Sequence, residues 1–250
     1  MDAGWAVAAL DLVFPALCPV CDAALGAGRR DPLCGRCWGA IDRLPPPDCD
    51  VCGAPSTLRA DFARPRAPDA RRVCWACTTS PPDYDYARSA AAYEGTLREA
   101  LHAFKFSGKR ALARPLGDLA IEQCRAFLPH DIEALIPVPL AYERERERGY
   151  NQAALLAERL ARPLGIPAIP GWLGRVRATR PQSDLAAAER QANVRGAFRA
   201  AGRVAGRHVL VVDDVLTTGA TLGACARALR GAGARRIGVL TVARVLHAAV

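Results

Sequence analysis

Eight cysteines in four identically spaced pairs constrain this chain more than any other feature: Cys18 and Cys21, Cys34 and Cys37, Cys49 and Cys52, Cys74 and Cys77. Two residues between cysteines let both thiolates of a tight turn face one tetrahedral ion, and two such turns close a structural site with no open position. Four pairs therefore predict two structural zinc sites. Cys52 is followed by Gly53 and Cys21 by Asp22, residues that tolerate the left-handed backbone such a knuckle needs. Sequential pairing groups Cys18, Cys21, Cys34 and Cys37 in one site and Cys49, Cys52, Cys74 and Cys77 in the other. A cross-brace of first pair with third and second with fourth uses the same spacing, which does not choose between them. Thiolates alone also suit an iron–sulfur cluster, but zinc is the expectation. A disulfide framework needs an oxidising compartment. The segment from Ala3 to Leu17 lacks an export signal's basic start and small-residue cleavage pattern. It reads as an amphipathic helix of a cytoplasmic protein. Cys124 and Cys225 stand alone in apolar helical patterns and read as small buried hydrophobes.

The stretches between the pairs, such as Asp61 to Arg72, are rich in Pro, Arg and Asp and cannot build a core unaided. Metal would hold this module together. It resembles a double zinc ribbon. Pro81 and Pro82 then mark a boundary between residues 1–80, an N-terminal helix with the double ribbon, and a second domain over 85–250. The boundary predicts that removing 1–80 leaves the second domain's ligand site largely intact. The chain as a whole is 51% hydrophobic, enough for a real core, and no stretch approaches the length of uncharged apolar residues that crosses a bilayer. Its formal net charge of +9 favours anionic partners, although thiolate-bound zinc would lower it to about +5.

Past the prolines, strand and helix signals alternate. Tyr86 to Tyr93 reads as a strand. Thr96 with Glu99 suggests a capping box for a helix whose Leu97, Leu101 and Phe104 share one face. Pro115 opens a helix ending near Leu128, Ala134 to Val138 is a short strand and Gln152 to Leu160 a helix. His208 to Val212 is a strand, Gly219 to Leu229 a helix and Ile237 to Val242 a last strand. Such alternation implies an α/β domain, a mostly parallel sheet flanked by helices on both faces, with ligands at the carboxyl ends of its strands.

One run says what the ligand is. In Val209-Leu210-Val211-Val212-Asp213-Asp214-Val215-Leu216-Thr217-Thr218-Gly219-Ala220-Thr221 a buried strand ends in two acids, and a Thr/Gly loop enters a helix. Backbone N–H groups, threonine hydroxyls and the helix dipole converge there on a volume suited to a phosphate monoester. Carboxylates one step away would repel that phosphate unless they faced vicinal hydroxyls or a hydrated cation. Together these features describe a ribose 5-phosphate.

The run resembles the phosphoribosyl pyrophosphate (PRPP) signature of type I phosphoribosyltransferases. Pro137-Val138-Pro139-Leu140, Arg144, Arg148-Gly149-Tyr150-Asn151-Gln152-Ala153, Phe104-Lys105-Phe106, and Gln182 with Arg190, Asn193, Ala197 and Phe198 narrow it: together with the ribbon they resemble the ComF family, competence protein F. The resemblance covers nearly the whole chain. It implies the type I phosphoribosyltransferase fold behind a small zinc-ribbon module. It further implies that Asp213 and Asp214 hold the ribose hydroxyls or magnesium-bound water and that Thr217, Thr218, Gly219, Ala220 and Thr221 hold the 5-phosphate. The loop Leu140 to Gly149 becomes the pyrophosphate loop with Arg144 and Arg148 as its forks, while Glu145, Arg146 and Glu147 read as a solvated face. Arg175 to Ala186 becomes a mobile loop over PRPP. Lys105, Asn151, Gln152, Gln182 and Arg190 are further candidates; Lys105 either faces the site or snorkels from a packed helix.

By the same resemblance the ligand is PRPP, or another ribose 5-phosphate, with magnesium. The implied role is that of a competence protein handling single-stranded DNA in natural transformation beside other competence-machinery proteins. The alternative is an active phosphoribosyltransferase passing ribose 5-phosphate to a nitrogenous acceptor. Type I enzymes select that acceptor with a hood outside the core sheet, and the zinc module is the one large candidate for it. Trp38 and Trp75, near the knuckles, either stack on bases or pack over the small zinc-site cores, and packing is the expectation.

Overall fold

The computed structural model describes residues 16–26, 32–56, 71–177 and 192–246. In it the apolar runs form strands β1 (Tyr86–Ala92), β2 (Ala134–Pro137), β3 (Leu173–Arg175), β4 (Phe198–Ala200), β5 (His208–Leu216) and β6 (Arg236–Arg244). Four of them make one sheet in the order β1-β6-β5-β2, parallel at every step, while β3 and β4 pair antiparallel beside it. The central strands β5 and β6 are buried along almost their whole length, as expected for a parallel sheet covered on both faces.

The helices are α1 (Gly35–Gly39), α2 (Trp75–Thr79), α3 (Gly95–Phe106), α4 (Ala113–Cys124), α5 (Tyr142–Arg148), α6 (Gln152–Leu164) and α7 (Ala220–Gly231). Strand periodicity sorts the core into two layers. Leu210, Val212, Leu240 and Val242 face α3, α4 and α6 through Leu97, Leu101, Phe104, Leu116 and Leu156. Val209, Val211, Ile237 and Val239 face α7 through Leu222, Cys225 and Leu229. Truncating any of these leucines to alanine would cost about 2–5 kcal/mol. Cys124 and Cys225 are buried among apolar neighbours.

Three local expectations change. The Thr96–Glu99 capping box does not form, because α3 already starts at Gly95 behind an extended Glu94; Thr96 lies inside the first turn, where its hydroxyl cannot cap. Strand β5 runs on through Asp213 and Asp214 to Leu216, held by pairing of Asp213 with Thr241 and Leu216 with Arg244. The segment read as the pyrophosphate loop is helical over Tyr142–Arg148. Opposite charges three apart (Glu143 and Arg146, Arg144 and Glu147, Glu145 and Arg148) support it. Acids in its first turn and bases in its last match the helix dipole, and Gly149 closes it at φ 73°.

The zinc module does not stand apart from the sheet. Leu44 N–H donates to the Ala90 carbonyl at 3.0 Å and Ala92 N–H to the Asp42 carbonyl at 2.9 Å, so residues 42–44 pair antiparallel with the outer edge of β1. Further along, Ala87 N–H donates to the Val51 carbonyl at 2.6 Å. Unpaired edge groups invite association with other chains, and here the module covers them. Cys18, Leu33, Cys37 and Ile41 also join the core layer of α3 and α4. Sequence reading places a boundary at the prolines because composition changes there; the pairing across it depends on residues far apart in the chain. Among the described residues no helix is long and apolar enough to cross a membrane.

Candidate functional site

Each cysteine group gathers its four sulfurs within 4.8 Å of one another, and the grouping is sequential: Cys18, Cys21, Cys34 and Cys37 in one, Cys49, Cys52, Cys74 and Cys77 in the other. A tetrahedral zinc with bonds of about 2.3 Å spaces its sulfurs at about 3.8 Å. The Cys21–Cys34 and Cys52–Cys74 sulfurs are 3.6 and 3.7 Å apart. All four sulfurs thus fit a closed zinc site in each case. Backbone N–H groups of Cys37 and Cys52 point at the Cys34 and Cys49 sulfurs at 3.4 Å, the pattern of a knuckle wrapped around thiolates. Gly53 and Asp22 both take the left-handed backbone, at φ 69° and 53°. Gly53 is doubly required, since a Cβ there would lie 2.5 Å from the Ala87 carbonyl oxygen. Trp38 packs against the core with the Arg43 guanidinium over its ring. Trp75 does not pack as expected: it is 65% exposed.

At the carboxyl end of the sheet lies a cavity of about 780 Å³, lined among others by Lys105, Arg144, Arg148, Asp213, Asp214 and Thr217. Its floor is the end of β5. Asp214 is buried and Asp213 half-buried, and Asp214 N–H donates to Asp213 Oδ1 at 2.9 Å. Burial, then the neighbouring Asp214 carboxylate, push Asp213 up to about 7. The chain turns at Gly219, φ 78°, into the first turn of α7, where Ala220 N–H donates to Thr218 Oγ1 at 3.4 Å. Thr217, Gly219, Ala220 and Thr221 line the cavity, and Thr218 is exposed outside that lining.

The opposite wall comes from α3 and α5. Tyr150 hydroxyl donates to the Phe104 carbonyl, tying the end of α3 to the start of α6 and setting Lys105 toward the acids. Its ammonium lies 2.7 Å from Asp214 Oδ2. Burial lowers Lys105, but the carboxylates of Asp214 and Asp213, with Tyr93, together hold the ammonium above its ordinary value. Of the sequence alternatives for Lys105, the structure takes the inward one. Arg144 and Arg148, four apart on α5, are half-buried, while Glu145, Arg146 and Glu147 are exposed. Arg148 donates to Gln152 Oε1 at 3.1 Å and stacks on Phe106 at 4.8 Å. Asn151 lines the cavity, yet its side chain also caps α6, accepting from Ala153 N–H at 3.0 Å and donating to the Val138 carbonyl at 3.0 Å. Gln182 and Arg190 lie outside the described residues, as does most of the segment read as a mobile loop.

Tyr93 and Arg175 also reach the cavity, although the sequence marks them only as a strand end and a loop start. Tyr93 follows the carboxyl end of β1, where parallel α/β sheets meet ligands, and that was its available signal; Arg175 ends β3 of the antiparallel pair, which sequence reading did not include among its strands. No zinc-module residue is among the cavity's lining residues. Sequence leaves open whether the module covers the site as a hood or binds something else; its described part pairs with the β1 edge.

Residues 150–249 match the family model of the phosphoribosyl transferase domain, and residues 9–78 that of the double zinc ribbon domain. Competence protein F of Haemophilus influenzae is 33% identical over 222 residues, covering 86% of this chain and 91% of its own. The chain belongs to the competence protein F (ComF) family. Another relative, the DNA utilization protein YhgH of Escherichia coli strain K12, is 32% identical over 239 residues, 94% of this chain and 100% of its own. Competence protein ComFC of Bacillus subtilis is 30% identical over 200 residues, 79% of this chain and 77% of its own. In this ComF protein the phosphoribosyltransferase fold and the double zinc ribbon occur together, joined through the edge of one sheet.

Proposed function

We propose that this ComF protein binds PRPP with magnesium in the cavity at the end of β5 and acts in the cytoplasm on single-stranded DNA during natural transformation. The observation that carries the ligand is the convergence of Asp213, Asp214 and the glycine-led N-terminus of α7 on one cavity. Thr217, Gly219, Ala220 and Thr221 receive the 5-phosphate by backbone N–H groups and hydroxyls. Asp213 and Asp214 face the ribose hydroxyls or the water of a magnesium ion, and Arg144 and Arg148 supply forks for diphosphate oxygens. Magnesium, when bound, offsets the charge of the diphosphate. Calorimetry with PRPP and magnesium tests this reading: saturable binding to the wild type, weakened in the Asp213→Asn, Asp214→Asn double variant, is expected. Wild-type affinity in that variant overturns the site.

The DNA part rests on the relatives' names, the net charge of +9 and the exposed ring of Trp75. A chain that grips phosphates loses affinity steeply as salt rises, and an exposed indole can stack on bases. Fluorescence anisotropy across a salt series, with Trp75→Ala beside the wild type, checks it; binding indifferent to both salt and Trp75 rules it out. A second reading, transfer of ribose 5-phosphate to a nitrogenous acceptor, is favoured by Phe106, whose 62% exposed ring lines the cavity next to Lys105. Pyrophosphate release with one base from a panel would establish it.

A further inference from the structure

Two adjacent carboxylates at a cavity floor would ordinarily draw a divalent ion from solution, yet in this site a cation of the chain already occupies one of them. Lys105 Nζ lies 2.7 Å from Asp214 Oδ2, with side chains only 23% and 8% exposed. The lysine stands in the last turn of α3, where the helix dipole adds to the hold on a cation. Phe104 behind it is fully buried and bonded through its carbonyl to Tyr150, so the lysine is carried on a fixed element. Asp213, beside Asp214, is left as the carboxylate without a lysine partner. Arg148, held by Gln152 Oε1 and the Phe106 ring, also acts on Asp214, and Arg144, Glu147 and Arg175 line the same cavity.

We infer that Lys105 is a resident counter-ion that keeps divalent metal out of the Asp213–Asp214 pair until the metal arrives on a diphosphate. The inference rests on the PRPP reading of the site. A bare divalent ion must displace an ammonium from a buried partner, which leaves that charge unpaired and is costly. An ion carried by a diphosphate brings most of its own oxygen ligands, needing one or two carboxylates at most. The diphosphate also offers Lys105 a new anionic partner, so the lysine exchanges one ion pair for another rather than losing one. Lys105 is thus a positioning residue that makes metal entry depend on substrate.

The test is a titration of Mn²⁺, followed by its electron paramagnetic resonance signal, against protein with both zinc sites filled. Without PRPP, Lys105→Met is expected to bind one Mn²⁺ at the pair about tenfold or more tighter than wild type. The Lys105→Met, Asp214→Asn variant is expected to lose that gain. Equal Mn²⁺ affinity in Lys105→Met and wild type overturns the inference. If Lys105→Met does not fold, the wild type alone decides: tight Mn²⁺ binding without PRPP overturns the inference, and binding that appears only with PRPP supports it. Failure of PRPP to bind the wild type removes the proposed function, whereas a Mn²⁺ gain confined to Lys105→Met still supports exclusion of the bare ion.

Discussion

Arg244 donates from its guanidinium to the carbonyl oxygen of Cys52 at 2.6 Å. The last strand of the sheet thereby holds the second zinc knuckle by its backbone. The next residue, Val245, donates its N–H to the Leu216 carbonyl at 2.9 Å, directly before the Thr217–Gly219 turn. Knuckle, central strand β6 and the Thr217–Gly219 turn are joined through a few bonds at one end of the sheet.

Deleting residues 1–80 is expected to expose the outer edge of β1, which loses its partners at residues 42–44 and 51. Exposed parallel-sheet edges associate. Sedimentation should show concentration-dependent self-association of the fragment and calorimetry a lower Tm. A monomeric fragment melting like the full chain would contradict the docking of the module, and would restore the separability that the proline boundary suggests.

Gly53→Ala and Gly35→Ala should part company. At Gly53 the left-handed backbone alone costs about 1–2 kcal/mol with a side chain, and the added Cβ meets the Ala87 carbonyl oxygen at 2.5 Å. At Gly35 a Cβ meets nothing within 4 Å. Thermal melts and zinc retention under a chelator should fall sharply for the first and stay near wild type for the second.

His208 is buried at the far end of the sheet, between the Tyr86 hydroxyl at 2.9 Å and Asp131 Oδ1 at 2.9 Å. Burial lowers its pKa, with Asp131 partly offsetting. The unfolded chain, at about 6.5 for histidine, therefore takes up the proton first, and stability falls as pH drops below about 6.5. Burial works against Asp131, but its bonds to His208 and Arg235 hold it low, so it adds a further loss at lower pH. His208→Gln should flatten Tm against pH between about 7 and 5. An unchanged slope would show that the histidine is not the group titrating.

Asp213 has the opposite sign. Its folded value of about 7 lies above the unfolded carboxylate value of about 3.9. The folded state then binds more protons between those limits, and stability falls as pH rises from about 4 through 7. Asp213→Asn is expected to stabilise the unliganded protein at about pH 8, where the folded state carries the buried charge. The same variant should weaken PRPP binding. Differential melting with and without PRPP reads both effects, and a destabilised variant would mean that Asp213 serves the fold.

Local patterns were the legible part of this protein. The four cysteine knuckles, the left-handed positions at Asp22 and Gly53, and the strand-acid-turn-helix run from Val209 to Thr221 are each set by residues within a few positions of one another. Turn geometry and ligand spacing act over that range, so one sequence suffices to read them. Arg144 and Arg148 differ, because their segment reads as a loop and it is the helix α5 that puts them on one face.

Contacts between distant parts of the chain were decided by tertiary structure. Spacing allows either pairing of the cysteine turns, and the fold brings Cys18–Cys21 to Cys34–Cys37 and Cys49–Cys52 to Cys74–Cys77. Composition separates the zinc module from the sheet, while backbone groups of residues 42–44 and 51 find their hydrogen-bond partners on β1. Lys105 can snorkel or turn inward on the same helix, and only the arrival of Asp214 from another strand gives its ammonium a buried partner. Burial of a charge or an edge depends on what packs over it, and that is a property of the assembled chain.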